Sequence, residues 1–230
     1  MNTKITGTIG GLALLLSSVV MAEDASLKNT FRAGVYFITY HVQATDISGP
    51  MTPAGLNAKI DSNQTLYLAY VRSLTKHLDL EFAFGVPPTT KTKGKGPATL
   101  GSVPFDGVEI SSAKWASPTI LLNYVFFDET ARFRPYIGIG VNHTAFYERR
   151  STAGGDAVAG GPTRISLTAS TGIAGTVGLS YRFNNDWHLY ASYSASRVTS
   201  DLKADTAGLI RTSHLNFRPR TFVLSAGYSF

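Results

Sequence analysis

The sequence predicts an all-β protein, an eight-stranded antiparallel transmembrane β-barrel with short periplasmic turns and long extracellular loops. Three observations lead to this prediction. The chain begins with a secretion signal, its later segments alternate apolar residues with small or polar ones, and short connections alternate with long ones. Each observation fits other folds as well, and only their combination is typical of an outer-membrane barrel.

Residues 1–22 have the three parts of a secretory signal peptide. Lys4 is the charge of a short polar start, an apolar run extends from Ile9 to Leu16, and Ala22 ends a cleavage site of small or modest residues. The alternative is a membrane helix, but that needs about 20 apolar residues and this run is much shorter. We expect cleavage after Ala22 and one outer-membrane β-barrel domain over residues 23–230.

The last ten residues show the alternation most clearly. The even positions from Phe222 to Phe230 are apolar, whereas the odd positions are small and mostly polar. Successive side chains of a strand point to opposite faces, so this segment has one apolar face. The pattern recurs near residues 78–86, 119–126, 135–144, 172–183 and 187–194. Two segments that are harder to phase, near 31–43 and 62–72, bring the number of strands to eight.

The connections between these segments fall into two length classes. Short ones lie at residues 73–76, 128–132 and 184–186, and long polar ones lie near 44–61, 89–112, 148–166 and 200–216. A soluble β-sandwich has no reason to sort its connections in this way, whereas a bacterial outer-membrane barrel does. Aromatic residues cluster near the short turns and the C terminus, as expected for the girdle of a barrel rim. We therefore expect the bacterial outer membrane as the location.

Several short motifs resemble those of one protein family. They are a fifth-strand motif at Arg134–Asn142, a hairpin of strands six and seven at Gly175–Tyr181 and Asn184–Trp187, and a chain ending at Ser225–Phe230. On these residues the chain resembles the OmpW family of small outer-membrane proteins, including its AlkL-like members. It departs from the family at Ser194–Ser196, where relatives tend to carry bulkier aromatic residues.

The resemblance implies a barrel with an apolar passage that is closed toward the periplasm. It also implies lateral exit of small hydrophobic cargo through a gap in the wall. The same resemblance makes Phe230 the assembly signal read by the barrel-assembly machinery, whereas its outward, lipid-facing position follows from the alternation itself.

Three charged residues take the inward phase near the short turns, namely Asp79, Glu81 and Arg182. Paired inside the barrel, they would form a polar plug at the periplasmic end, and the alternative is a plain structural ion cluster. Many other inward residues are small, and they either leave room for a narrow passage or only relieve crowding. These small residues are Gly138, Gly140, Gly172, Ala174, Gly178, Ser225 and Gly227. No cofactor is required in either case.

Pro87 and Pro88 end the third strand without backbone N–H donors. Missing donors weaken a strand ladder, so we treat this pair as a candidate lateral gate in the barrel wall. The alternative is that the two prolines only begin an extracellular loop.

Cationic residues lie in or beside the long loops. They are Lys91, Lys93, Lys95, Arg149, Arg150, Arg218 and Arg220. Cations at the outer rim suit the phosphates of lipopolysaccharide, although most such runs are simply solvated loops. The net charge of +6 is also compatible with nucleic-acid binding, but no groove-reading motif accompanies it, so we expect no nucleic-acid partner.

An enzyme is the less favoured interpretation. His41, His143 and His214 could meet near the outer rim with Ser213 as a nucleophile. However, the sequence has no G-x-S-x-G elbow, no H-E-x-x-H motif and no grouped metal ligands. We expect no enzymatic activity.

Two functions therefore stay open at the level of sequence. The first is passive uptake of small, mostly hydrophobic molecules, with outer-membrane lipid and lipopolysaccharide as surroundings. The second is a non-transporting barrel that acts in adhesion or surface interaction through its loops. A lumen that is apolar in its outer half would favour the first, and a filled lumen with ordered, protruding loops would favour the second.

Overall fold

The computed structural model describes residues 28–100 and 103–230, so the expected signal peptide lies outside the described residues. The strands, in chain order, are β1 Asn29–Tyr40, β2 Gln43–Ala44, β3 Asn57–Ile60, β4 Asn63–Ser73, β5 Leu78–Gly85, β6 Thr89–Lys95, β7 Thr99–Leu100, β8 Val103–Pro104, β9 Glu109–Ala116, β10 Thr119–Val125, β11 Phe133–Ser151, β12 Thr163–Leu167, β13 Ser170–Arg182, β14 Trp187–Ser196, β15 Thr199–Thr206, β16 Leu209–Asn216 and β17 Pro219–Ser229. A short helix, α1, spans Ala153–Ala159. In the described part of the chain, no helix is long and apolar enough to cross a membrane.

Eight antiparallel strands form a closed ring. Their order around the ring is β10, β5, β4, β1, β17, β14, β13 and β11, and β11 pairs back with β10. The first and last strands of the chain are neighbours, paired from Thr30–Ser229 to Tyr40–Pro219. Closure removes the free edges that an open sheet would expose to lipid. The predicted eight-stranded barrel is confirmed.

The outer surface of the barrel is apolar, and its interior is largely polar near the periplasmic end. Large exposed side chains such as Phe31, Ile139 and Leu224 point outward, whereas Arg32 and Asn123 are buried inside. Because strand residues alternate between the two faces, the sequence alternation produces this inverted arrangement directly. The first strand, which was hard to phase, has Phe31, Val35 and Phe37 outside and larger side chains inside as well.

Short and long connections lie at opposite ends of the ring, as predicted. The short ones join β4 to β5, β10 to β11 and β13 to β14, beside the N-terminal end of β1 and the C-terminal end of β17. Side chains fix two of these turns. Asn184 accepts hydrogen bonds from the backbone N–H groups of Asp186 and Trp187, and Thr75 accepts those of His77 and Leu78.

The long connections fold into two β-ribbons beyond the ring. The first ribbon consists of β3, β6, β9 and the outer part of β11, and the second consists of β12, β15, β16 and β2. Strand β11 runs from the ring into the first ribbon without interruption. The extracellular side is therefore a structured extension of the barrel.

Candidate functional site

A buried ion pair lies inside the barrel near its periplasmic end, and we call this pair with its hydrogen-bond partners the floor. Arg32 Nη1 lies 3.1 Å from Glu81 Oε2, and both side chains are at most 5% exposed. Tyr67 donates its hydroxyl to Glu81 Oε1 at 2.5 Å, and Asn123 Nδ2 donates to Glu81 Oε2 at 2.8 Å. The carboxylate thus receives three donors, which is the arrangement that a buried charge needs in a low-dielectric interior.

Arg32 is held from the remaining sides of the barrel. Its Nη2 donates to the hydroxyls of Tyr136 and Ser225, each at 3.4 Å. Its guanidinium also lies 4.0 Å from the centroid of the Tyr190 ring, a cation–π contact. These contacts join strands on opposite sides of the ring, so the floor spans the whole lumen.

Inward glycines make room for the floor. A Cβ at Gly138 would lie 1.9 Å from Asn123 Oδ1, and a Cβ at Gly178 would lie 2.3 Å from Cζ of Tyr136. Larger residues at these positions would displace the side chains of the floor. Of the two interpretations offered for the small inward residues, relief of crowding applies at these two positions.

Beyond the floor the lumen contains a cavity of about 180 Å³ that reaches the extracellular mouth. Its middle is an apolar waist, in which Val198, Leu215 and Phe217 are buried together. Phe146 stacks on Phe217 with centroids 5.4 Å apart. The outer half of the lumen is therefore lined largely by apolar side chains.

A second apolar cluster lies at the mouth. Leu56, Phe105 and Val158 are buried together, and they come from three different long connections. Val158 belongs to α1, which Thr152 caps by accepting a hydrogen bond from Gly155 N. The loops thus fold over the passage.

The wall of the barrel is interrupted along one seam. The ladder between β5 and β10 ends at the pair Ala83–Thr119, and that between β6 and β9 resumes at the pair Thr89–Lys114. Between these ladders, residues 84–88 and 115–118 do not pair with each other, and we call this stretch of the seam the wall break. It contains Pro87, Pro88 and Pro118, which have no N–H to donate.

The strands that flank the wall break keep hydrogen bonds to their other neighbours. On one side, Val86 N still donates to Leu66 O at 3.0 Å. On the other, His143 N still donates to Pro118 O at 3.0 Å. Val86 in the break and Ile120 next to it face outward, and both are about half exposed. The outer surface at the break is therefore apolar.

Polar side chains support both edges of the wall break. Asn63 Nδ2 and Trp115 Nε1 donate to Thr90 Oγ1 at 2.7 and 2.9 Å. On the edge formed by residues 115–118, Asn142 Nδ2 donates to the hydroxyl of Ser117 at 2.7 Å. The Trp115 bond crosses the seam and the other two hold each edge to its neighbouring strand, so the break has ordered edges.

The OmpW family sequence profile matches residues 28–230. The chain belongs to the OmpW family. It is 28% identical over 227 residues to outer membrane protein W of Vibrio cholerae, covering 97% of this chain and 99% of that protein. The crystal structure of OprG from Pseudomonas aeruginosa has a TM-score of 0.79 at 21% identity, covering 89% of this chain and 96% of that one. The solid-state NMR structure of AlkL in DMPC bilayers has a TM-score of 0.63 at 20% identity, covering 94% and 97%.

As an OmpW-family barrel, the protein resides in the outer membrane. Of the three residues predicted to form a periplasmic plug, two lie together and one lies apart. Glu81 is the centre of the floor, and Asp79 occupies the next inward position toward the periplasm. Arg182 does not bond to Glu81, and it donates instead to the backbone carbonyl of Thr130 in a short turn. The partner of Glu81 is Arg32, which the alternation pattern does not single out because β1 has large side chains on both faces.

The loop cations are divided between paired and free positions. Lys91 bonds to Glu109 at 2.9 Å and Lys93 to Asp61 at 2.8 Å, and the Asp61 hydrogen bond raises the pKa of Lys93. Arg149 donates to the carbonyl of Leu167 at 3.1 Å. The remaining four, Lys95, Arg150, Arg218 and Arg220, are exposed.

The three histidines and the serine considered for an enzyme site do not form one cluster. His214 Nδ1 lies 2.7 Å from Asp201 Oδ1, whereas Ser213 points to the other face of the same strand and donates to Thr45 O at 2.7 Å. His143 lies elsewhere, with Nδ1 2.8 Å from Thr171 Oγ1. His41, which is exposed, makes no side-chain hydrogen bond within the described residues. The suggested nucleophile is therefore separated from its suggested bases.

Proposed function

We propose that this OmpW-family barrel is a passive outer-membrane channel for small, mostly hydrophobic molecules, which leave it laterally through the wall break. The observation that carries the proposal is the course of the cavity. It begins at the mouth, passes the apolar waist and ends on a closed floor beside the break.

A straight exit into the periplasm is unfavourable because of the floor. A solute would have to separate Arg32 from Glu81 and break the hydrogen bonds of Tyr67 and Asn123. Separating a buried ion pair leaves charges uncompensated, at a cost of roughly 3–5 kcal/mol. An apolar solute offers nothing to replace these bonds, so a sideways route is preferred.

The wall break suits that route for two reasons. Its prolines remove backbone donors, so widening it breaks few hydrogen bonds. Its outer side is flanked by Val86 and Ile120, so a solute leaving there enters hydrocarbon instead of water. Pro118 on the opposite strand extends the gate proposed for Pro87 and Pro88.

Replacing Pro87 and Pro88 together with Thr tests lateral release. The new N–H groups would allow pairing across the break, and we expect uptake of an octane-like solute to fall toward the rate of protein-free vesicles. The measurement compares uptake of this solute and of a charged solute into vesicles with lipopolysaccharide in the outer leaflet. Pro135→Thr is the matched control, because Pro135 lies in a fully paired part of the wall. Unchanged octane uptake in the double variant would rule out this exit.

The alternative, a surface-interaction barrel, finds support in the two ordered ribbons. The open cavity is an observation that this alternative does not need, and it favours transport. Deleting the tips of the ribbons distinguishes the two, because an interaction protein would lose cell-surface binding while a channel would keep taking up solute.

Two further roles belong to the same proposal. The loop cations, above all the exposed Lys95, Arg150, Arg218 and Arg220, are placed to contact lipopolysaccharide phosphates. Phe230 is suited to recognition by the barrel-assembly machinery, since its side chain is 65% exposed and faces lipid.

A further inference from the structure

The lower part of the cavity differs chemically from the apolar waist. Six hydroxyl side chains lie there among apolar ones such as Leu121, Ala174 and Val223, and we call the six the hydroxyl chamber: Thr119, Thr144, Thr176, Ser192, Ser194 and Thr221. On their strands they lie on the extracellular side of the floor, as Ser192 does relative to Tyr190 and Thr221 relative to Ser225. A solute that has passed the waist therefore reaches hydroxyl groups before it reaches the floor.

The hydroxyl chamber offers no charge to a solute. Among the described residues that line the cavity, the charged ones are Glu81 and Arg211. Glu81 is fully engaged in the floor, and Arg211 lies at the mouth, where it donates to Thr52 and Thr206. A charged group brought down to the chamber would lose its hydration without gaining a counter-ion.

The chamber has acceptor sites to spare and one free donor. Five of its six hydroxyls already donate within the protein, as Ser194 does to Thr176 Oγ1 at 2.8 Å and Thr176 does to Tyr193 O at 3.4 Å. The side chain of Ser192 makes no hydrogen bond within the described part of the chain. Because a hydroxyl accepts twice as well as donating once, a solute with one hydroxyl can donate to these oxygens and accept from Ser192, whereas a pure hydrocarbon can do neither.

The chamber also adjoins the proposed exit. Thr119 is the residue at which the β5–β10 ladder stops. Thr144 Oγ1 lies 2.6 Å from Ser117 Oγ, on one edge of the wall break. A head group held here would place the apolar remainder of the solute against the waist, so the two zones orient the molecule.

We infer that the cargo is an amphiphile with an apolar body and one uncharged hydrogen-bonding head group, such as an alcohol or a phenol. The inference rests on the proposed channel function and narrows its substrate class. The head group binds in the hydroxyl chamber while the body occupies the waist. Pure alkanes and ionised amphiphiles bind more weakly.

Trp115 provides a direct test, because it lines the cavity and the chain has only one other tryptophan, the outward-facing Trp187. The Trp187→Phe variant in lipid nanodiscs makes Trp115 emission a report on cavity occupancy. The probes are 1-octanol, octane and octyl sulfate, compared at equal mole fraction in the bilayer. We expect 1-octanol to bind about tenfold more tightly than octane, as one or two hydrogen bonds would provide.

Adding Ser192→Ala and Ser194→Ala to this background should reduce 1-octanol to the affinity of octane. Ser180→Ala is the matched control, because Ser180 is an inward serine on the periplasmic side of the chamber that donates to Arg134 O. It should leave the preference intact. Ser192→Ala alone replaces the double variant if the latter does not fold, since that hydroxyl bonds to no described residue.

The outcomes separate the two proposals. Equal binding of octane and 1-octanol, or 1-octanol binding unaffected by the serine changes, would overturn the inference and leave the channel standing. Binding of octyl sulfate as tight as that of 1-octanol would overturn the requirement for a neutral head. A Trp115 signal that responds to no probe would overturn the channel function itself.

Discussion

The two ends of this barrel place their ion pairs in opposite environments, one buried and one exposed to water. At the floor, Arg32 and Glu81 are almost fully buried and are bonded from several strands. In the first ribbon, Lys114 and Glu148 lie 3.0 Å apart with side chains 37% and 47% exposed, and no comparable network surrounds them. The floor pair is enclosed by the barrel, whereas the ribbon pair is exposed to water.

The difference shows what burial does to an ion pair of nearly equal length. Buried charges depend on each other, because neither can be solvated when the other is lost. Exposed charges return to water at little cost. The distances alone would predict equal contributions to stability, and the difference in burial makes the contributions unequal.

Arg32→Ala is the strongest way to test this comparison. It leaves Glu81 charged and buried, so we expect a loss of about 3–5 kcal/mol in the free energy of unfolding, measured by urea denaturation in lipid vesicles. The floor should also leak, which single-channel conductance would detect. Stability and conductance equal to those of the parent protein would mean that the floor is neither structural nor sealing.

Gly138→Ala tests whether the floor is as tightly packed as its contacts indicate. The new methyl group would lie 1.9 Å from Asn123 Oδ1, and we expect a loss of about 1–3 kcal/mol in the free energy of unfolding. Gly175→Ala is the control, because the nearest atom to its Cβ is 3.8 Å away. Similar losses in both variants would show that glycine is needed in these strands for reasons other than packing of the floor.

Lys114→Ala should have the smallest effect. An exposed pair contributes about 0.2–1 kcal/mol, and salt screens it, so the difference from the parent protein should shrink further at high ionic strength. The same urea denaturation measures it at low and high salt. A loss as large as that of Arg32→Ala would erase the contrast between the two ends.

The ring itself follows from local patterns in the sequence. The alternation in 221–230 and the short turns around Thr75 and Asn184 depend on neighbouring residues, so they can be recognised without knowing the fold. The prediction of eight strands and of two classes of connection is confirmed. The ribbons were predicted as long polar loops, because their pairing joins segments such as β2 and β16 that are far apart in the chain.

Only one of the two charged residues of the floor can be predicted from the sequence. Glu81 stands out as an acid in an alternating strand, and it was identified. Arg32 lies between Phe31 and Ala33 in a strand whose inward positions also carry Tyr36 and Ile38, so its phase was ambiguous. Which cation reaches Glu81 depends on ring closure and strand stagger, and neither can be inferred from the alternation within one strand.

The seam between β1 and β17 also determines the order in which the barrel can be completed. The hydroxyls of Thr30 and Ser229 lie 2.8 Å apart although 199 residues separate them in sequence. One edge of the first strand therefore stays unpaired until the last strand is placed beside it. Unpaired backbone groups are tolerated in water but cost several kcal/mol each in hydrocarbon. Entry into the membrane and closure of the seam must then proceed together, and a chain released before its final strand would have two open edges.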